Sequence, residues 1–282
     1  MYSKRLDRTH PGCIVIMVDQ SGSMEEPIAR QAGTSKAVAL ADAINTLLYE
    51  LVIRCVKNPN EGPRNYYDIG LIGYGASVGP AWSGALHGRL LVPVSEVANN
   101  PVRVAERPQE AAGAAGEQPT VPRVVKTPEW IEAVAGGTTP MCAAFDVTGQ
   151  LVADWVRAHP DSFPPIIVNI SDGAATDGDP LPWAERIVSL STRDGNVLLF
   201  NLNLSALGGE QIMFPATPAR LNDPFAQTLF AMSSPLPDYM CQLAGAHGIP
   251  VQMGARGFVF NAGVAALVRF LQIGTSTAQA VA

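Results

Sequence analysis

Charge is scarce in this chain: Asp, Glu, Lys and Arg together make up only 16% of 282 residues, and 19 Lys and Arg leave a formal charge of −6. No basic run appears, which argues against a nucleic-acid surface, since that needs clustered positive charge. The four cysteines, Cys13, Cys55, Cys142 and Cys241, lie far apart in apolar segments without a Cys-x-x-Cys pair. They read as small buried hydrophobes in a reducing compartment. Histidine is also sparse, and His87, alone in a Gly-rich stretch, reads as a surface residue. No Gly-x-x-x-x-Gly-Lys loop is present, which removes a P-loop nucleotide site. No apolar run is long enough for a signal core or a membrane span, so a cytoplasmic protein with no membrane partner is expected.

What the chain has in plenty is apolar sequence, 47% of its residues, enough for one large α/β core. Cys13 to Val18 is an unbroken, β-branched run of the kind a parallel strand buried on both faces requires. It stops at Asp19-Gln20-Ser21-Gly22-Ser23. The apolar run Pro164 to Ile170 stops in the same manner at Ser171-Asp172-Gly173. Strands are also expected at Tyr67–Tyr74, Val197–Leu202 and Phe258–Phe260. Helical spacing marks Thr34–Lys57, with Thr34 or Ser35 as N-cap, then the stretch after Pro140 to Ala158, the segment following Asp179-Pro180, and Asn261–Leu271. Strand and helix alternate, which predicts a doubly wound, mostly parallel central sheet with helices on both faces. Gly75–Val94 reads as a hairpin adding one antiparallel edge strand.

The whole chain, 1–282, is expected to form a single domain. Residues 95–128 read as a flexible excursion because of their prolines and the Ala-Ala-Gly-Ala-Ala-Gly repeat at 111–116. Residues 205–240 read as an irregular segment with one short helix around Phe225–Met232.

The chemistry concentrates at the strand ends. Asp19, Ser21 and Ser23 place one carboxylate and two hydroxyls at alternate positions of a short loop turned by Gly22. Such oxygen-only donors suit Mg²⁺, Mn²⁺ or Ca²⁺ and not zinc. Alone, the pentapeptide reads equally well as an Asx/Ser turn leading to a helix. Two further loops carry matching oxygens: Gly136-Gly137-Thr138-Thr139-Pro140-Met141, before a helix, and Asp172-Gly173, at the second strand end. Glu25 and Glu26 read as solvated loop residues, and Asp177 and Asp179 as helix-capping residues.

With Asp-x-Ser-x-Ser, a later Thr and a later strand-end Asp-Gly in this order, the chain resembles the von Willebrand factor type A (vWA) family and its metal-ion-dependent adhesion site (MIDAS). The nearest likeness is to bacterial stand-alone proteins of the tellurium-resistance-associated kind, on Thr139-Pro140-Met141 and on Asp172-Gly173-x-x-Thr176-Asp177. The resemblance implies that Asp19, Ser21, Ser23, Thr139 and Asp172 surround one Mg²⁺ ion, the aspartates partly through water. Counting forward from Gly136-Gly137 favours Thr138 as the threonine, whereas alignment on Pro140-Met141 favours Thr139, which is taken here. It further implies a non-enzymatic protein-binding module. The ion accepts an Asp or Glu side chain from a partner, which the likeness extends to a kinase, a phosphatase or a stress-response complex. A coupled shift of the C-terminal helix, about Ala262 to Leu271, is implied as well. The alternatives are a metal-dependent hydrolase or phosphoryl-transfer enzyme using Asp19, and a scaffold with a purely structural metal. The enzymatic reading lacks a second carboxylate two residues after Asp19, and no His or Lys lies in the three loops to act as base or phosphate clamp.

Overall fold

The computed structural model describes residues 1–28, 33–58, 60–109, 123–204 and 210–277. In chain order its elements are β1 (Gly12–Asp19), α1 (Lys36–Arg54), β2 (Tyr67–Tyr74), β3 (Val78–Pro80), β4 (Val92–Pro93), α2 (Val94–Asn99), β5 (Arg103–Gln109) and β6 (Arg123–Glu129). They continue with α3 (Met141–Ala158), β7 (Ile166–Ser171), α4 (Leu181–Ser189), β8 (Ser191–Thr192), β9 (Gly195–Asn196), β10 (Leu198–Leu204) and β11 (Ile212–Met213). The last are α5 (Pro224–Met232), α6 (Asp238–Ala246), β12 (Phe258–Ala262) and α7 (Val264–Gly274). No helix among the described residues is long and apolar enough to cross a membrane.

The main sheet runs β11-β12-β10-β7-β1-β2-β3, with β4 also on β2. From β12 to β2 all pairings are parallel, as the unbroken apolar runs require. The expected antiparallel edge is present as β3 and β4 on β2. A second short antiparallel strand, β11, closes the far edge on β12.

Alternate residues of β1 serve two cores, one on each face of the sheet. Ile14, Ile16 and Val18 pack with Leu40, Ile44 and Leu48 of α1 and Leu267 and Phe270 of α7. Cys13, Val15 and Met17 pack instead with Phe145 of α3, Ile187 of α4 and Leu229 of α5. Each fully buried side chain of this kind contributes about 1.5–3 kcal/mol. A sheet so covered on both faces presents only its edges and strand ends to solvent. Those strand ends are where loop chemistry can be reached.

One polar chain crosses this apolar interior from β2 by way of β7 to β10 and the end of α5. Tyr74 Oη donates to Asn169 Oδ1 at 2.7 Å, Asn169 Nδ2 to Asn201 Oδ1 at 3.0 Å, and Asn201 Nδ2 to Ser233 Oγ at 3.0 Å. Ser233 Oγ donates onward to the Leu229 carbonyl at 2.8 Å. Every polar group along it is partnered, as its depth demands.

In the 95–128 region, read from the sequence as a flexible excursion, the described part holds α2 and the antiparallel pair β5/β6; the Ala-Gly repeat falls within 110–122, outside the described residues. Pro128 stands opposite Val104 and Pro108 opposite Val124, in a two-stranded pair where both strands are edges, the place open to proline. In 205–240 the expected short helix is present as α5, with β11 and the start of α6 beside it; 205–209 lie outside the described residues. Phe230 and Met232 belong to the core there.

Candidate metal centre

Topology brings the two strand-end aspartates side by side. From β1 the chain passes to β2 on one side, while β7 takes the other side, so the strand order reverses at β1/β7. Ligands of open α/β sheets sit beyond the strand ends at such a point. Val18 pairs with Ile170, which sets Asp19 level with Ser171 and next to Asp172.

Backbone contacts then draw the loops together. Gly136 N donates to the Gln20 carbonyl at 2.8 Å, and Gly22 N to the Gly137 carbonyl at 3.1 Å. Two glycines make this approach possible. Gly137 has φ +80°, and a Cβ there would stand 2.4 Å from Ala76 N; on Gly75 it would meet the Gln20 carbonyl oxygen at 2.4 Å. Any side chain would push the loops apart. Asn45 of α1 anchors the approach to the second loop, accepting from Trp130 N at 2.7 Å and donating to the Ile131 carbonyl at 3.0 Å.

Four of the five sequence-derived residues form one hydrogen-bonded cluster. Asp19 is buried and accepts from Ser21 N at 2.9 Å and from Ser171 Oγ at 2.7 Å. Ser21 Oγ and Ser23 Oγ stand 3.1 Å apart, and Ser23 Oγ donates to Asp172 Oδ1 at 2.7 Å. Thr139, the fifth, is buried on the loop pinned beside them. Among the described residues its hydroxyl lies outside this hydrogen-bonded cluster. Its backbone is fixed reciprocally to Thr176: Thr139 N donates to Thr176 Oγ1 at 3.1 Å, and Thr176 N to the Thr139 carbonyl at 3.0 Å. Thr138 is exposed.

Burial pushes the Asp19 carboxyl above its ordinary value; the hydrogen bonds from Ser21 and Ser171 act against this, and the nearby Asp172 adds to it. A cation beside Asp19 reverses such a penalty.

Two participants escaped the sequence reading. Ser171, the last residue of β7, is the donor that holds Asp19 Oδ2. Lys36 is the other: its Nζ donates to Asp172 Oδ2 at 2.7 Å and to Glu26 Oε2 at 2.8 Å. The lysine and Asp172 side chains are 4% and 0% exposed, that of Glu26 57%. Opposed carboxylates outweigh the effect of burial on Lys36 and raise its pKa. Thus the three loops indeed lack a lysine, but the first turn of α1 supplies one. Glu26, read as merely solvated, is an ion-pair partner as well. Asp177 caps a helix, but the helix is α3: its oxygens accept from Cys142 N at 3.0 Å and Ala143 N at 2.9 Å. Asp179 Oδ1 accepts from Leu181 N at 3.0 Å at the start of α4. Cys13, Cys55 and Cys142 are buried free thiols, and His87 is exposed.

The donor set fits a small hard cation. An octahedral ion with oxygens at about 2.0–2.1 Å places neighbouring ligands about 2.9–3.0 Å apart, close to the 3.1 Å between the Ser21 and Ser23 hydroxyls. Among the described residues no three His, Cys, Asp or Glu side chains gather into a metal-binding group, so any ion here relies on hydroxyls beside the two carboxylates.

No family description and no curated protein matches this chain. Among solved structures, it is similar to proximal thread matrix protein 1 from the mussel byssus with a zinc-occupied MIDAS motif, at TM-score 0.45 and 12% identity, over 96% of this chain and 48% of that one. Another is the pilus adhesin SpaC from Lactobacillus rhamnosus GG, at TM-score 0.46 and 14% identity, over 95% and 30%. A third is the manganese-loaded TRAP protein of Plasmodium vivax, at TM-score 0.43 and 14% identity, over 95% and 74%. The chain spans half or less of the length of the first two. Each is a likeness in outline, and the case for the site rests on the distances above.

Proposed function

We propose that this protein is a non-enzymatic, divalent-cation-dependent protein-binding module of the vWA kind. In this reading Asp19, Ser21, Ser23, Thr139 and Asp172 hold a Mg²⁺ ion, with Mn²⁺ or Ca²⁺ as substitutes, and the partner presents an Asp or Glu side chain. The observation that carries the reading is the pair of hydroxyls at 3.1 Å, flanked by two carboxylates at the ends of the adjacent strands β1 and β7. When bound, the ion supplies an electrophilic centre for an anionic oxygen. The protein's own groups set the charge balance. Lys36 and Glu26 offset each other as an ion pair, and the two negative charges of Asp19 and Asp172 match the charge of a divalent ion. Ser23 is exposed and marks the open side.

The enzymatic alternative gains nothing from Lys36, whose ammonium is spent on Asp172 and Glu26. Asp19, the required nucleophile, is tied at both oxygens by Ser21 N and Ser171 Oγ. A kinase, phosphatase or stress-response complex as partner, and a cytoplasmic location, follow from the resemblance to the bacterial stand-alone proteins.

The test is isothermal titration of chelator-stripped protein with Mg²⁺ and Mn²⁺, in parallel with Asp19→Ala. The reading expects one ion per chain in the wild type and none in the variant. Binding of a short Asp-containing peptide that requires the ion, and is lost in the Asn version of that peptide, completes it. A folded wild-type protein that takes up no ion overturns it.

A further inference from the structure

Lys36 lies in the first turn of α1, where the helix dipole disfavours a cation, and it is nonetheless buried. Its ammonium has two carboxylate partners of unlike kind. Asp172, at 2.7 Å, is buried and belongs to the proposed ion site; Glu26, at 2.8 Å, is exposed and does not. With Ser23 Oγ on Asp172 Oδ1 at 2.7 Å, both oxygens of Asp172 are taken up by the protein's own donors. A buried carboxylate left alone is costly, and a buried pair broken on one side is strongly destabilised. Asp172 therefore always needs a positive partner, and Lys36 provides one when no ion does.

We propose that Lys36 is a tethered counter-cation that competes with the divalent ion for Asp172, and that Glu26 is the second berth to which its ammonium retires when the ion binds. The inference rests on the metal-site reading above. Two consequences follow. Ion affinity is held down by the work of separating Lys36 from Asp172, in the way any ligand is weakened when its competent state must first be populated. Conversely, the ion-free protein stays folded without an exposed internal charge. The site is thereby tuned to be reversible.

A charge that merely repels the ion through space behaves differently. In that case the effects of removing Lys36 and Glu26 add. In a handover they do not, because Glu26 matters only while Lys36 is there to be received. Non-additivity between residues in contact is the signature of direct coupling.

The experiment is titration of the chelator-stripped full chain with Mn²⁺ and Mg²⁺ for wild type, Lys36→Met, Glu26→Gln, the double variant, and Asp19→Ala. Lys36→Met is expected to bind about tenfold more tightly or better, the scale on which outer-shell partners act. Glu26→Gln is expected to bind roughly threefold more weakly, as for a partly exposed ion pair, and to have no effect in the Lys36→Met background. Wild-type or weaker affinity in Lys36→Met overturns the proposal, and so does an equal effect of Glu26→Gln in both backgrounds. Should Lys36→Met not fold, the ammonium of Lys36 is followed in the ¹⁵N-lysine spectrum of the wild type, assigned by its absence in Lys36→Arg. A signal that moves on saturation with Mg²⁺ supports the handover, and one that stays in place overturns it. The two levels remain distinguishable: ion binding lost in Asp19→Ala keeps the site standing whatever Lys36 does, whereas no ion in any protein overturns both.

Discussion

Two aspartates end adjacent parallel strands, and they are held in opposite ways. Asp19 is surrounded by neutral donors, an amide and a hydroxyl, and burial works against its charge. Asp172 has a hydroxyl and a buried ammonium. One carboxylate therefore waits for a cation, and the other already has one. The difference teaches that similar strand-end motifs need not do similar work: under the proposed function Asp19 anchors the ion, while Asp172 is the exchangeable member.

The sharpest way to break this comparison is to neutralise each carboxylate in turn. Asp172→Asn leaves Lys36 with Glu26 as its one carboxylate partner, and the ion-free protein is expected to lose about 1.5–3 kcal/mol, the worth of a hydrogen bond between charged groups. Asp19→Asn removes a charge that burial disfavours, while Ser171 can turn its hydroxyl to the Gly173 carbonyl, 2.9 Å away. The ion-free variant is expected to match or exceed the wild type. Both are expected to lose ion binding. Urea denaturation in chelator measures the contrast, and equal destabilisation by the two variants would sink it.

Next in size, Ser171→Ala removes the donor to Asp19 Oδ2. It is expected to cost about 1–3 kcal/mol for the unpaired buried acceptor and about 10–100-fold in ion affinity, read by denaturation and titration. Affinity within a factor of two of wild type would demote Ser171 to a bystander.

Acid sharpens the comparison further. Because the folded-state pKa of Asp19 lies above its ordinary 3.8, the ion-free folded protein holds a proton there that the unfolded chain releases. This contribution favours folding at low pH and is lost as pH rises through that window. An ion reverses the balance, since it binds the carboxylate. The rise in Tm on adding Mg²⁺ should therefore be largest near neutral pH and shrink as pH falls toward 3.8; a rise independent of pH would separate Asp19 from the ion.

The smallest effect is expected at Asp177, whose carboxylate caps α3 behind the threonine loop. Asp177→Ala should cost about 0.5–2 kcal/mol in thermal denaturation and leave ion affinity almost unchanged. A loss of affinity comparable to Ser171→Ala would place the cap within the site.

Much of this was legible in the sequence for a simple reason. Strands buried on both faces are read from continuous apolar runs, and the runs before Asp19 and Asp172 mark where the chain emerges from the sheet. The strand-end residues Asp19, Ser21, Ser23 and Asp172 follow from that, and the structure joins them. Lys36 was hidden because a lysine beside a cap looks like a solvated one. Its clue was electrostatic: a cation in the first turn of a helix opposes the dipole and calls for a carboxylate. Ser171 reads as one more strand residue until the register with β1 is known. The β5/β6 pairing is masked in the sequence by Pro108 and Pro128, which lower the strand signal. Asp177 looked like a local cap and proved to act on α3, a distance in sequence that no local pattern encodes.

The polar chain from Tyr74 through Asn169 and Asn201 to Ser233 has a consequence for the site as well. Parallel strands with continuous apolar runs could slide against their neighbours by two residues and still bury the same faces. A row of amides and hydroxyls that must meet deep inside forbids that slide, because any other alignment leaves several of them stranded. It works as a surveyor's datum: β2, β7 and β10 are all levelled from one line. The heights at which Asp19 and Asp172 emerge are measured from it, although no member of the row lies in the ligand set.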